Sequence, residues 1–355
     1  MKIAVDAMGG DKAPASVVDG VAQALRNEEG EKSFQRIGKI YLAGKPEAIE
    51  EELKKLQFRD DRIEIVPATE IVTMDESPVQ AVRRKKGSSM AIAIDLVKQG
   101  KADAILSAGN TGALMVGSHL KLRTLEGVYR PGLSALLPSP NNIFVLVDVG
   151  GNLEPHPSNL VQYAVMASIY SREILGYTKP RVGLISIGTE DIKGNDVSLE
   201  TFRLLKQVDI NFIGNIDCHE LFSNVADVVV TDAFVGNAIL KTCESTARTL
   251  FYWLREEIYK SPRLKLGGLL AKPALKAIHK RLDADEYGGA MFLGLNGICV
   301  KAHGASSAKA IRNALRVACE SVGHKMNDQI IAEIRKANEK IKSAQAQEPA
   351  LQTTP

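Results

Sequence analysis

The sequence predicts an α/β protein built on an open, mostly parallel sheet. Short apolar runs rich in Val and Ile recur along the chain without the polar alternation of a half-solvated strand, as expected of strands covered on both faces. Amphipathic helical patterns separate these runs. Most runs end in a Gly-rich polar loop that passes straight into the next helix, the rhythm of consecutive βα units.

Taken in order, residues 2–5 read as the first strand, and residues 15–26 form an amphipathic helix after the Gly9-Gly10 turn. Residues 39–43 and 63–66 are the next strands, separated by a charged helix over 46–57. Residues 88–99 read as helix, 102–106 as a buried strand, and Leu114, Met115 and Val116 open the following helix. Residues 143–147, 181–186, 211–213, 228–230 and 298–301 supply the later strands. No fixed-period repeat and no Gly/Ser- or Pro-rich linker divides the chain, so residues 1–335 are assigned to one domain.

Composition narrows the function classes. A 45% hydrophobic content over 355 residues, with mean hydropathy near zero, describes a globular protein. The net charge of +3 is too mild to point to nucleic acid, and 5% aromatic content offers few platforms for stacking bases. The four cysteines, at 218, 243, 299 and 319, form no C-x-x-C pair and read as reduced residues of a cytoplasmic protein. The first residues begin a strand directly, and no apolar run reaches the roughly 18 residues of a spanning helix, so neither a secretory signal nor a transmembrane segment is expected.

The chemistry is expected around Ser107-Ala108-Gly109-Asn110-Thr111-Gly112-Ala113-Leu114. A strand that ends in Gly-rich residues and enters a helix aims free amides and a dipole at one point, which favours an anion. Gly109 and Gly112 let the backbone approach a phosphate, and Asn110 and Thr111 supply side-chain donors. A plain N-cap and tight turn would account for any single loop of this kind. Recurrence favours the anion reading: Asp6-Ala7-Met8-Gly9-Gly10-Asp11, Asp148-Val149-Gly150-Gly151-Asn152, Ile187-Gly188-Thr189-Glu190-Asp191, Asp232-Ala233-Phe234-Val235-Gly236-Asn237 and His303-Gly304-Ala305-Ser306-Ser307 each follow a strand-like run. In an open parallel sheet such loops share the carboxyl edge, which predicts one composite site. Asn237 and Lys241 would complete the cradle. For Asp6, Asp11, Asp148 and Asp232 two readings stand: turn-forming caps, or carboxylates that orient the neighbours of a bound anion.

Common catalytic signatures are absent. Residues 38–45 mimic a phosphate-binding P-loop but carry one residue too many between the glycines, and Pro46 stands where Ser or Thr is required. His219-Glu220 lacks the second histidine of a zinc protease, and no G-x-S-x-G elbow or post-strand G-x-G-x-x-G occurs. Among the six histidines only His303 stands at a strand end within the Gly-rich set, which makes it the candidate acid or base.

Met8-Gly9-Gly10-Asp11, RRKKGSSM at 83–90, SAGNTGAL at 107–114, Ile187-Gly188-Thr189-Glu190, the run 227–241 around FVGN, and Tyr287-Gly288-Gly289-Ala290 with LNGICVKAH at 295–303 resemble the bacterial phosphate acyltransferases of phospholipid synthesis. The resemblance covers residues 1–330, with the motifs in the same order. It implies a Rossmann-like three-layer α/β/α fold similar to the phosphotransacetylases, a homodimer, and no metal or nicotinamide cofactor. It implies transfer of a long-chain acyl group from acyl carrier protein to inorganic phosphate. The acyl phosphate would then serve a glycerol-3-phosphate acyltransferase. Phosphate is a ready nucleophile and a thiolate a good leaving group, so such an enzyme chiefly positions the anion and stabilises the oxyanion. A short-chain phosphotransacetylase using coenzyme A, and a non-catalytic anion-binding protein that recruits partners to membranes, are the alternatives. Departures from the family pattern are Gly151 in place of Ala, Ile216-Asp217-Cys218-His219 without the family's Arg, Ala233 in place of Gly, and Met291-Phe292 in place of Pro-Leu.

Two stretches lie outside the strand–loop–helix rhythm. Over 249–285, apolar residues including Leu266, Leu269 and Leu270 alternate with Arg and Lys, and Pro262, Gly267-Gly268 and Pro273 predict a break into short helices. An apolar tip with basic flanks suits peripheral attachment to the inner face of the cell membrane, the location the resemblance implies; a dimer or core contact is the other reading. Residues 336–355 are expected to be a disordered tail. Arg83-Arg84-Lys85-Lys86 reads by itself as a solvated face and, with the resemblance, as a contact for an acidic carrier protein.

Overall fold

The structure is a computed structural model that describes residues 1–283 and 286–346. Its strands are β1 (Lys2–Asp6), β2 (Lys39–Gly44), β3 (Ile63–Pro67), β4 (Ala104–Ser107), β5 (Gly132–Pro138), β6 (Ile143–Val147), β7 (Val182–Ser186), β8 (Phe212–Asp217), β9 (Val228–Val230), β10 (Ala290–Leu293) and β11 (Ile298–Lys301). Its helices are α1 (Ala15–Arg26), α2 (Lys32–Gln35), α3 (Pro46–Lys55), α4 (Pro78–Arg84), α5 (Ser89–Lys98), α6 (Thr111–Leu122), α7 (Pro157–Leu175), α8 (Asp196–Leu205), α9 (Ala233–Tyr259), α10 (Pro262–Leu282), α11 (Ala308–Gly323) and α12 (Met326–Ala346).

All eleven strands form one sheet in the order β3-β2-β1-β4-β11-β10-β5-β6-β9-β7-β8. Alternate residues of each strand feed opposite cores. Ile3, Val5, Leu106, Val145, Val147 and Val300 pack on the face covered by α1, α7, α8, α11 and α12, while Ala4, Ile105, Phe144, Leu146, Val229 and Cys299 pack on the face covered by α5 and α6. This is the three-layer α/β/α fold that the apolar, non-alternating strands predict, since a strand buried on both faces has no polar side to show.

The centre of the sheet departs from expectation. β10 is antiparallel to both β11 and β5, and β5 is antiparallel to β6, whereas the flanking groups β3-β2-β1-β4-β11 and β6-β9-β7-β8 are each parallel. Three successive reversals leave the second group running opposite to the first. Loops after β1, β4 and β11 therefore lie on one edge of the sheet, and loops after β6, β7 and β9 on the other. The single composite edge expected from a uniformly parallel sheet is thereby corrected. β5, which runs from Gly132 to Pro138, and β10 both escape the sequence reading.

The 249–285 excursion also differs from expectation, and its residues 284 and 285 lie outside the described residues. α9 runs unbroken for 27 residues and α10 for 21, so the chain breaks only between Tyr259 and Pro262, and Pro273 sits inside α10. At 1.5 Å per residue α9 is about 40 Å long, enough to cross the sheet and project beyond it. Gly268 makes the helix pair possible, because a Cβ there would press on Ile258 of α9. The tail expectation is corrected in part: α12 continues to Ala346, seated on α7 through Ile330, Ile334, Ala337 and Ile341, a 4-3-4 spacing that keeps one stripe buried. Residues 347–355 of the expected tail lie outside the described residues.

Candidate active site

On the first edge, three glycine-rich loops interlock. The Asp11 amide donates to the Gly304 carbonyl at 2.8 Å, joining the loops after β1 and β11. A Cβ on Gly9 would lie 2.5 Å from Asp6 Oδ2 and 2.7 Å from the Gly109 nitrogen, so only glycine lets the loop after β1 pass the loop after β4. Gly10 lies beside Ala108 and Gly304 at a φ of +105°, a conformation that side chains other than glycine rarely adopt.

Beneath these loops sits a buried polar network. Ser107 Oγ donates to Asp6 Oδ2 at 2.6 Å and accepts the Gly109 amide at 3.0 Å. Lys301, at the end of β11 and only 6% exposed, donates from Nζ to the carbonyl oxygens of Ala302 and, at 3.4 Å, of Ala108. Burial pulls the Lys301 ammonium down to about 8, against the opposing pull of Asp6, and Lys241 is near enough to push it the same way as burial. Burial likewise raises the Asp6 carboxyl above its ordinary range, opposed by hydrogen bonds from Ser107, Ser89 and the Met8 amide. Desolvation thus brings an acid and an ammonium toward each other in titration, as at sites that handle charge.

Above the network, Asn110 caps α6: its Oδ1 accepts the Ala113 amide at 3.0 Å. Its Nδ2 donates to the carbonyl oxygens of Thr73 (3.3 Å), Met74 (3.0 Å) and Glu76 (3.0 Å). Both amide hydrogens are therefore taken, and the expected direct donation from the Asn110 side chain to phosphate is corrected to a strap holding residues 73–76 over the helix start. The amides of Thr111 and Gly112 have no partner within the helix, as at any helix N-terminus, and with the Lys301 ammonium behind Ala108 they make this edge attractive to an anion. His303, in the loop after β11 on the same edge, is exposed, and its Nδ1 accepts the Ala305 amide at 3.2 Å.

Lys241 joins this edge from another direction. It lies exposed two turns into α9, 2.8 Å from Glu244, and reaches the Lys301 neighbourhood because α9 crosses the sheet. Asn237 is exposed one turn earlier on the same helical face.

The remaining expected residues cluster on the opposite edge. Asp148 is fully buried and accepts the amides of Leu133 (3.0 Å), Gly150 (3.1 Å), Gly151 (2.8 Å) and Asn152 (2.8 Å). Burial lifts its carboxyl to about 6 while those four amides hold it down. A Cβ on Gly151 would lie 2.9 Å from the same carboxylate, so this departure suits the tight turn. Asp232 accepts the amides of Phe234 and Val235, both at 2.9 Å, and caps α9. For Asp148 and Asp232 the capping reading therefore applies. Gly236 backs directly onto the Asp148 carbonyl, Asn152 accepts the Ala233 amide at 3.2 Å, and Glu190 is anchored through its carbonyl by Asn215 at 2.8 Å. These form a turn-stabilised cluster, separated from the Lys301 network by the strand length.

Sequence reasoning passes over Lys301 and Ser107 as site residues and over the 73–76 strap. The available signal is the lysine that ends the otherwise apolar run Ile298-Cys299-Val300. A cavity of about 460 Å³ lined by Val165, Arg172, Phe212 and Lys340 opens at the amino end of β8, away from the Gly-rich loops of either edge.

Over residues 1–329 the chain matches the family described as fatty acid synthesis protein. It is 44% identical over 336 residues to the phosphate acyltransferase of Clostridium kluyveri, covering 95% of this chain and 98% of the relative. It is 45% identical over 340 residues to that of Akkermansia muciniphila, covering 94% and 96%. Among solved structures it is similar in fold to a phosphotransacetylase from Streptococcus pyogenes, with a TM-score of 0.58 at 18% identity over 91% of this chain and 94% of that one. A branched-chain phosphotransacylase from Enterococcus faecalis aligns with a TM-score of 0.56 at 15% identity, over 91% and 99%. Matched over nearly its full length, the chain belongs to the fatty acid synthesis protein family of phosphate acyltransferases, enzymes that transfer an acyl group to phosphate.

Proposed function

We propose that the acyl donor is a long-chain thioester of acyl carrier protein and that the acyl phosphate formed feeds phospholipid synthesis at the membrane surface. The observation that carries the reading is the first-edge cradle, where a capped helix N-terminus and a buried ammonium meet at loops that interlock only through glycine. Inorganic phosphate held there presents an oxygen to the thioester carbonyl carbon. A carbon–oxygen bond forms, the tetrahedral oxyanion collapses, and the thiolate departs with the carbon–sulfur electron pair. The Thr111 and Gly112 amides and Lys301 oppose the negative charge that phosphate and oxyanion bring, and exposed His303 supplies or removes a proton.

α9 and α10 support the membrane part of the reading. Trp253, Tyr259, Leu264, Leu266, Leu269 and Leu270 are all exposed, and α10 buries none of its residues. Arg263, Lys265, Lys272 and Lys276 share that helix, the mixture of an interfacial helix beside anionic lipid. No described helix is long and apolar enough to span a bilayer. An acyl phosphate is an amphiphile whose chain partitions into lipid, so release beside the bilayer serves a membrane-bound glycerol-3-phosphate acyltransferase. The functional unit in this reading is a homodimer in the cytoplasm, attached peripherally to the inner face of the membrane.

The test supplies phosphate with palmitoyl-carrier thioester, palmitoyl-CoA or acetyl-CoA, and traps acyl phosphate with hydroxylamine. The carrier thioester should be consumed fastest. Preference for acetyl-CoA would establish the short-chain alternative, and consumption of none of them the non-catalytic one.

A further inference from the structure

The basic run before α5 divides into two parts with different duties. Lys85 is taken up by the fold: its Nζ donates to the Ile71 carbonyl at 2.6 Å and pairs with Glu76 at 2.5 Å. That contact ties the end of α4 to the strap over the α6 N-terminus, because Glu76 also accepts the Thr73 amide at 2.8 Å and its carbonyl accepts from Asn110. Arg83, Arg84 and Lys86 are exposed, and among the described residues no carboxylate pairs with them. The nearby Glu70 carboxylate is occupied, accepting the Gly87 amide at 3.0 Å.

Arg83 borders apolar surface, unlike a residue on a plainly solvated face. Val79 is 53% exposed one turn before Arg83 on the same side of α4, and Met74 in the strap is 45% exposed. A small apolar centre with a charged rim is the make-up of a protein contact. The patch also adjoins the site. Pro78, the first residue of α4, lies so close to Gly112 that a Cβ on that glycine would be 2.5 Å from its Cγ. Arg84 is six residues further along the helix, about 9 Å from that contact at 1.5 Å per residue.

From this placement, and resting on the donor reading above, we infer that Arg83, Arg84 and Lys86 with Val79 form the docking surface for an acidic carrier protein that presents its thioester to the α6 cradle. The basic residues of α10 are a poorer fit for that partner, because they are interleaved with exposed leucines that suit lipid. Long-range attraction to the patch orients the carrier so that its thioester arm faces the cradle, and it weakens as salt rises.

The test compares wild type with the triple charge reversal Arg83→Glu, Arg84→Glu, Lys86→Glu, and with Lys272→Glu, Lys276→Glu, Lys280→Glu on α10. Binding of purified carrier protein is followed by fluorescence anisotropy at low and high salt, beside turnover of palmitoyl-CoA and thermal melting. The α4 reversal should weaken carrier binding at least about tenfold and abolish its salt dependence, with melting and carrier-free turnover within about twofold of wild type. Unchanged carrier binding, equal loss on palmitoyl-CoA, or loss confined to the α10 reversal would each overturn the inference, as would a wild type that binds no carrier. Carrier binding through the patch without acyl transfer would keep the docking surface and refute only the choice of donor.

Discussion

The buried ammonium of Lys301 carries a stability cost that depends on pH in a calculable way. In the folded protein it titrates near 8, against 10.5 for an ordinary lysine. Between those values the unfolded chain binds more protons than the folded one, so stability rises with pH; the cost is complete below pH 8 and gone above 10.5. A difference of roughly 2.5 units corresponds to about 3 kcal/mol, of which about 2 kcal/mol should be recovered between pH 7 and pH 9.5. Lys301→Met keeps the stem volume and removes the charge. It also leaves the Ala108 and Ala302 carbonyls without their donor, a loss independent of pH in this window. Urea unfolding of both proteins at pH 7 and 9.5 therefore isolates the charge and the groups coupled to it, because titrations not coupled to Lys301 cancel in the comparison. A second pair in an Asp6→Asn background removes the response of the neighbouring carboxylate. Wild type should gain about 2 kcal/mol relative to Lys301→Met across the window. Parallel pH dependences in the two proteins would refute the burial argument, and a variant with undiminished phosphate-dependent turnover would remove Lys301 from the site.

Asn110→Asp keeps the acceptor that caps α6 but turns a carboxylate toward three carbonyl oxygens, so the strap should release; turnover should fall by about 100-fold, the scale of a lost oxyanion-type contact, with melting lowered only modestly. Turnover near wild type would show that the strap does not shape the cradle. His303→Gln should leave melting unchanged, since the side chain is exposed, while turnover falls by about 100-fold or more if it moves a proton; a large stability loss with full activity per folded molecule would return it to the fold. Leu269→Glu with Leu270→Glu should abolish sedimentation with anionic liposomes and leave acyl transfer intact, both leucines being exposed. A monomeric or misfolded double variant would instead place them at a protein interface.

Much of the architecture is legible locally because it is decided locally. The apolar run ending in Ser107, the glycines that follow and the helix-forming residues from Thr111 are contiguous, so strand, loop and helix can be read without knowing what packs against them. The same holds for β1 with its Gly9-Gly10 turn, and for the alternating burial of Val145, Leu146 and Val147. The family motifs are likewise contiguous strings. Boundaries are less legible: Gly267-Gly268 and Pro273 look like breakers, yet α10 runs through them.

Strand direction is a different matter, because it depends on which distant segment each strand pairs with. β10 enters between β11 and β5 from more than 150 residues away in sequence from β5, and its antiparallel pairing, with that of β5 and β6, turns the second half of the sheet over. That non-local choice divides six similar loops between two edges, leaving Asp148 and Asp232 as caps on one and Asp6, Lys301 and the α6 N-terminus together on the other. The ammonium of Lys301 follows the same logic. By sequence it is a lysine ending a strand, and only the closure of the loops after β1, β4 and β11 around it removes the water that would otherwise hold its charge.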